Sequence, residues 1–309
     1  MIMARENFKL PSTRGDTELN CYRWIPEGRV RATVQLSHGM IEHILRYSDF
    51  AEFLNSNGIA VYGHDHLGHG NTTPDDLGFI AETNGDVVIV DDLFEVTKVV
   101  ESDHPGIPHI LLGHSMGSFV ARRYITKYGD HLDGAIIVGT GNQSPMSVRF
   151  GLFIANYLCR HKGTHYVSPF LNKVILESND KRFDEPEMRN RWISRDPESV
   201  RRYNEDPFCT FRFTSAGFRD LLTMIRRIES GEDFDRIPKG LPIILLSGSD
   251  DPIGDFGKGV EKARKALEDA GLRPEMKLYP GARHEILNET NRQEVYSDIL
   301  AWIERVINH

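Results

Sequence analysis

Five consecutive residues, Gly113-His114-Ser115-Met116-Gly117, constrain this chain more than any other feature. The apolar stretch His109–Leu112 runs into them and a helical pattern, Met116–Tyr128, leaves them. The serine therefore sits in the turn between a strand and a helix, where G-x-S-x-G exposes a nucleophilic hydroxyl above a sheet edge. Glycines are needed because the turn is tight and its backbone passes close to neighbouring elements. The helix that starts at Met116 aims the positive end of its dipole at the reacting centre. A chance G-x-S-x-G among 27 glycines is the competing reading, and the flanking strand and helix argue against it.

The rest of the chain supplies the matching scaffold. Ala32–Ser37, Ile59–His64, His109–Gly113, Gly134–Gly139, Pro242–Ser247 and Glu275–Tyr279 are short, rich in Val, Ile and Leu, and bounded by Gly or Pro, as buried strands are. Helical patterns lie between them: Tyr47–Asn57 closed by Gly58, Asp86–Ser102, Met116–Tyr128, Lys258–Ala270 and Arg292–Asn308. Such alternation predicts a mostly parallel sheet covered on both faces. Phe8–Leu10 and Leu19–Trp24 read as an antiparallel opening pair, which brings the sheet to eight strands.

The alternation stops after Gly139. Residues 144–232 carry helical and irregular patterns only, and are expected to form a helical cap inserted into a core made of 1–143 and 233–309. The insertion holds 15 Lys and Arg against 12 Asp and Glu, a balance of +3 that leaves −11 for the rest of a chain whose total is −8. It also holds 12 of the 29 aromatics, which either fill its own small core or line a pocket. The acidic total excludes the basic footprint of a nucleic-acid binder. Three widely spaced cysteines, Cys21, Cys159 and Cys209, form no disulfide framework or zinc spacing and favour a reducing, cytoplasmic setting. MIMARENFKLPST has no apolar run, so no signal peptide or membrane span is expected. The sequence carries no signature of oligomeric state.

A serine hydroxyl needs a base oriented by an acid. In a sheet of this kind both come later in the chain, from loops at the carboxyl ends of strands. Ser247-Gly248-Ser249-Asp250-Asp251-Pro252 and Pro280-Gly281-Ala282-Arg283-His284-Glu285 occupy those places. Of 13 histidines, His284 alone falls where the base is required. Pattern does not separate Asp251 from Asp250, which could equally cap its own loop. Two N–H donors must meet the developing oxyanion. Met116, after the serine, is one candidate, and Met40, in the loop His38-Gly39-Met40-Ile41-Glu42-His43, is the other. Gly39, Gly113, His114 and Gly117 are expected to support this loop and the elbow. His64-Asp65-His66-Leu67-Gly68-His69 suggests a metallohydrolase cluster, but Gly68 stands where such a site needs an acid.

At these residues the chain resembles the monoglyceride lipase and lysophospholipase branch of the α/β hydrolases, the serine aminopeptidase S33-type or Hydrolase_4 family. HGMIEHILRY (His38–Tyr47), HDHLGHGNT (His64–Thr72) and GHSMGS (Gly113–Ser118) carry the likeness, with SGSDDP and YPGARHEILNE behind them. The resemblance spans residues of about 10–143 and 233–309, and not the insertion. It implies an α/β-hydrolase fold and an acyl-enzyme mechanism without cofactor or metal. It also favours Asp251 over Asp250, Met40 and Met116 as oxyanion donors, and a structural role for the His64, His66 and His69 loop. Ser118 stands where many relatives have glycine. The expected substrate is a fatty monoester such as a monoacylglycerol or lysophospholipid, because Phe150–Leu158 and Phe208–Leu222 are rich in Phe, Leu and Ile. A transient membrane contact through the basic cap is the accompanying expectation. A short-chain carboxylesterase, thioesterase or aminopeptidase would use the same machinery, and a catalytically inactive binding module would have lost one of its residues.

Overall fold

A computed structural model describes residues 5–177, 179–183 and 188–308. The expected cap therefore has 178 and 184–187 outside the described residues, and the expected core has 1–4 and 309 outside them. Eight strands form one sheet: β1 (Arg5–Pro11), β2 (Glu18–Trp24), β3 (Ala32–Ser37), β4 (Ile59–His64), β5 (His109–His114), β6 (Gly134–Val138), β7 (Ile243–Gly248) and β8 (Glu275–Tyr279). Their spatial order is β1-β2-β4-β3-β5-β6-β7-β8. β2 pairs antiparallel with β1 and with β4, and every later pair is parallel.

The five central strands β3 to β7 are buried along their whole length, which is why they read as unbroken apolar runs. Alternate residues still divide between two layers. Val34, Leu36, Ile110, Leu112 and Ile136 pack with α1 (Ser48–Ser56) and α9 (Arg292–Ile307). Leu111, Ala135, Ile137 and Leu245 pack with α2 (Gly85–Asp103), α3 (Met116–Tyr128) and α8 (Lys258–Asp269). The expected helix from Tyr47 begins one residue later, because Ile44–Tyr47 is a 3-10 turn. Gly58 closes α1 at φ +75°, a left-handed backbone that glycine adopts without a Cβ clash.

Between β6 and β7 the described residues form no strand. They form α4 (Pro145–Lys162), α5 (Pro169–Asn172), α6 (Pro197–Glu205) and α7 (Ser215–Glu229), joined by short 3-10 and π turns. α4 lies along α7 over the carboxyl ends of the central strands. Among the described residues no helix is long and apolar enough to cross a membrane.

Candidate active site

The elbow is built from β5 and α3. Ser115 joins them at φ +54° and ψ −119°, a conformation that costs a non-glycine residue about 1–3 kcal/mol and persists only where the surroundings fix it. They do so here. Ser115 N–H donates to Val138 O at the end of β6 (2.9 Å), and the buried Ser118 hydroxyl donates to Ser115 O (2.5 Å). A Cβ on Gly117 would overlap the Ser37 carbonyl, and one on Gly113 would overlap the Gly117 carbonyl, so neither position admits a side chain. Ser118 thus ties the first turn of α3 to the strained residue.

The two later loops converge as their placement after β7 and β8 requires. His284 Nδ1 lies 2.9 Å from Asp251 Oδ2, and both side chains are buried. Asp251 also accepts from Ser247 Oγ (3.2 Å) and from Ile253 N–H (2.8 Å), which hold it against the imidazole. Asp250 is exposed and accepts from the Ser249 hydroxyl (2.8 Å). The other nitrogen, His284 Nε2, is buried and has no hydrogen-bond partner among the described residues. It shares one cavity with Ser115, Met40 and Met116. Met116 opens α3, so its N–H has no carbonyl one turn back to pair with. Gly39 packs on the Ser115 side chain: a Cβ there would lie 3.1 Å from that of Ser115.

The cavity has a volume of about 1090 Å³. Phe119 forms part of its wall from the core, and Phe150, Ile154, Leu171, Phe211, Leu221, Leu222 and Ile225 form it from the insertion. Elsewhere it is lined by Asp180, Arg189, Asn190 and Asn204. Both segments expected to line an acyl tunnel contribute, but α4 is divided. Met146, Phe153 and Tyr157 are exposed and away from the cavity, Gly151 and Ile154 face it, and Phe150 stands at its edge, lining it while still exposed.

Several residues at the site were not singled out from sequence. Trp192 packs against His284 with tilted rings (centroids 4.8 Å apart, 37° between planes), and its carbonyl accepts His284 N–H (3.3 Å). Ile193 O accepts Glu285 N–H (2.7 Å), so this part of the insertion is stitched to the histidine loop. Glu42, Arg46, Tyr47 and Glu285 form a buried polar network behind the elbow. Its sequence signal is slight: Glu42 and Arg46 lie four residues apart in one block, and Glu285 follows His284 in another.

His64, His66 and His69 pack with His38 as a buried cluster of tilted and edge-to-face rings. Burial pushes the His64 and His69 imidazoles down to about 3, so they are neutral packing groups at ordinary pH. Their ring nitrogens do not converge. Among the described residues only His43, Asp206 and Cys209 bring three potential ligand atoms within 4.8 Å of one another. There, His43 Nε2 and Asp206 Oδ2 are 2.9 Å apart, a contact between the insertion and the loop after β3.

The serine aminopeptidase S33 (Hydrolase_4) family profile matches residues 28–291. A monoacylglycerol lipase of Mycolicibacterium smegmatis is 29% identical over 91% of this chain and 90% of its own length. The monoglyceride lipase of Homo sapiens is 28% identical over 93% of this chain and 87% of its own. A thermostable carboxyl esterase from Bacillus coagulans, solved in complex with glycerol, superposes with a TM-score of 0.92 over 99% of both chains at 29% identity.

Proposed function

The chain belongs to the serine aminopeptidase S33 family and is an ester hydrolase of the α/β-hydrolase fold; from that premise we propose that it cleaves monoacylglycerols through an acyl-enzyme on Ser115. His284 Nε2 takes the Ser115 proton as Oγ attacks the ester carbonyl, and Asp251 holds the imidazole in the tautomer that leaves Nε2 free. The Met40 and Met116 N–H groups receive the oxyanion. The same proton passes to the departing alkoxide, water then attacks the acyl-serine, and the cycle ends with a fatty acid and the free hydroxyl. In an unliganded site the serine and the base are often farther apart than a hydrogen bond, and they close on substrate.

The observation that carries the substrate class is the cavity. Ser115 and His284 open into a volume walled by Phe, Leu and Ile from the insertion, with a cluster of Asn, Asp and Arg side chains in the same lining. A long acyl chain takes the apolar wall, and a glycerol head takes the polar one. Residues 144–232 act in this reading as a lid over a core of 1–143 and 233–309. The exposed face of α4, followed by Arg160, His161 and Lys162, rests on the lipid surface from which substrate is drawn. The likeness to an esterase of Bacillus coagulans keeps a short-ester preference as the second reading.

The deciding experiment is a p-nitrophenyl ester series from acetate to palmitate, followed by monoacylglycerol and lysophospholipid. Each buried CH2 is worth about 0.8 kcal/mol, so kcat/KM should rise several-fold per two carbons to at least the octanoate. A maximum at acetate or butyrate with no turnover of any monoacylglycerol overturns the lipase reading and leaves the esterase.

A further inference from the structure

The proposal rests on the catalytic reading above and concerns how the oxyanion loop is held. Glu42 is 2% exposed, yet its carboxylate faces four donors. Oε1 accepts Gly39 N–H (2.5 Å), the Tyr47 hydroxyl (2.9 Å) and His114 Nδ1–H (3.1 Å), and Oε2 accepts from Arg46 Nη1 (2.7 Å). Arg46 in turn makes a two-toothed pair with Glu285 (2.7 and 2.6 Å), the residue after His284. One buried network thus touches the Gly39–Met40 loop, the elbow and the histidine loop.

The hydrogen bonds fix the state of His114. The single Tyr47 hydroxyl proton goes to Glu42, so the Tyr47 oxygen, 2.9 Å from His114 Nδ1, can only accept from that ring. On the other side His114 Nε2 faces the His284 carbonyl at 3.4 Å, which is also an acceptor only. Both ring nitrogens therefore need protons. Charge gives the same answer: the groups facing His114 are Glu42, Glu285, Arg46, Tyr47 and the His284 ring (centroids 4.9 Å apart) with its backbone carbonyl, and a neutral His114 would leave Glu42, Glu285 and Arg46 with one uncompensated buried negative charge. Burial by itself pushes the imidazole down, but the hydrogen bond and charge of Glu42 with the charge of Glu285 hold it above its ordinary value. Burial likewise pushes the Glu42 carboxyl up, and the His114 and Arg46 contacts outweigh it and hold the carboxyl well below the carboxylate range.

We propose that Glu42 and His114 form a permanent buried ion pair whose work is to set the oxyanion hole. Glu42 anchors Gly39 N–H, which fixes the His38–Gly39 peptide and so sets the direction of the next one, whose Met40 N–H is aimed at the place where the oxyanion forms. His114, gripped from both nitrogens, locks that loop to the elbow. Glu42 and His114 are positioning residues and touch no reacting atom. The loop needs such an anchor because Ile41 is held at φ +58°, a conformation that relaxes unless neighbours oppose it.

Two measurements test this. Nitrogen-15 NMR of the unmodified, substrate-free enzyme at pH 8 should show His114 with both ring nitrogens protonated, and a neutral His114 at that pH overturns the proposal. E42Q keeps the shape and removes the charge. It should lower kcat on p-nitrophenyl butyrate at least about tenfold with KM within threefold, slow fluorophosphonate labelling in proportion, and let His114 titrate below pH 8. A folded E42Q with kcat within twofold of the parent also overturns it. If E42Q does not fold, His114→Asn takes its place with the same expected kcat loss. A parent enzyme that is not labelled by fluorophosphonate sinks the catalytic reading instead, and the NMR result is read without any substrate.

Discussion

Asp251 Oδ2 sits 2.9 Å from His284 Nδ1, while its neighbour Asp250 lies on the surface bonded to Ser249. Adjacent carboxylates are thereby divided between the imidazole and solvent. An acid that orients the histidine tautomer is worth about 10⁴-fold in kcat. Asp251→Asn should approach that loss and Asp250→Asn should stay within about threefold, both read from kcat on a p-nitrophenyl ester. The reverse ranking would move the acid to Asp250.

Glu289 is fully buried and accepts Arg283 N–H (2.8 Å), Arg195 N–H (3.0 Å), Arg195 Nε (3.0 Å) and Thr290 N–H (2.9 Å). It ties Arg195 of the insertion to the residue before His284. Glu289→Gln turns one acceptor into a donor against this crowd and takes the charge partner from Arg195, which is one-third exposed and keeps Asn291, at about 1–3 kcal/mol. The melting temperature should fall by several degrees and kcat should fall with it, because the His284 backbone loses its neighbour's anchor. Circular dichroism melts and steady-state kinetics check this. An unchanged melting temperature would show that the insertion is not fastened to the histidine loop through this carboxylate.

Asp220 on α7 is 2% exposed, and burial lifts its carboxyl from 3.8 to about 6, against the opposing pull of Arg219. The folded state therefore binds this proton more tightly than the unfolded chain does. The stabilisation is complete below about pH 4 and is lost as pH rises through 6, to the extent of about 3 kcal/mol. Asp220→Asn cannot titrate, so its stability relative to the parent should improve between pH 4.5 and pH 7.5. Urea unfolding at the two values measures the difference. A gap that stays constant or moves the other way would place the titration elsewhere.

The elbow, its strands and the two later loops were legible in the sequence because each depends on local chemistry. Gly113 and Gly117 admit no Cβ, and β3 to β7 are apolar because both faces are covered. The choice between Asp250 and Asp251 was open in the residues alone, since it turns on which way the loop after β7 presents two like side chains. Glu42, Arg46 and Glu285 were not legible because 239 positions separate Arg46 from Glu285, and only the closed sheet brings them together. The Trp192 contact with His284 escaped for a related reason: no periodicity marks Arg191–Ile193, a single 3-10 turn within the irregular part of the insertion.

The exposed face of α4 tests the lid as a lipid contact. Met146 is 81% exposed and Phe153 69%, and neither lines the cavity. An exposed apolar stripe of this kind is costly in water and gains on entering the headgroup boundary, by about 1.5–3 kcal/mol for a fully buried Phe or Met. Replacing both with serine removes that gain but leaves Ser115, His284 and the cavity wall in place. The double variant M146S/F153S should hydrolyse soluble p-nitrophenyl butyrate within twofold of the parent. Its partition onto vesicles of phosphatidylcholine with phosphatidylglycerol should fall about tenfold or more, and turnover of vesicle-borne monoacylglycerol should fall in step. Raising the salt should weaken binding of parent and variant alike through Arg160 and Lys162. Vesicle binding equal to the parent's would remove α4 as the docking face, whatever the enzyme's preferred ester.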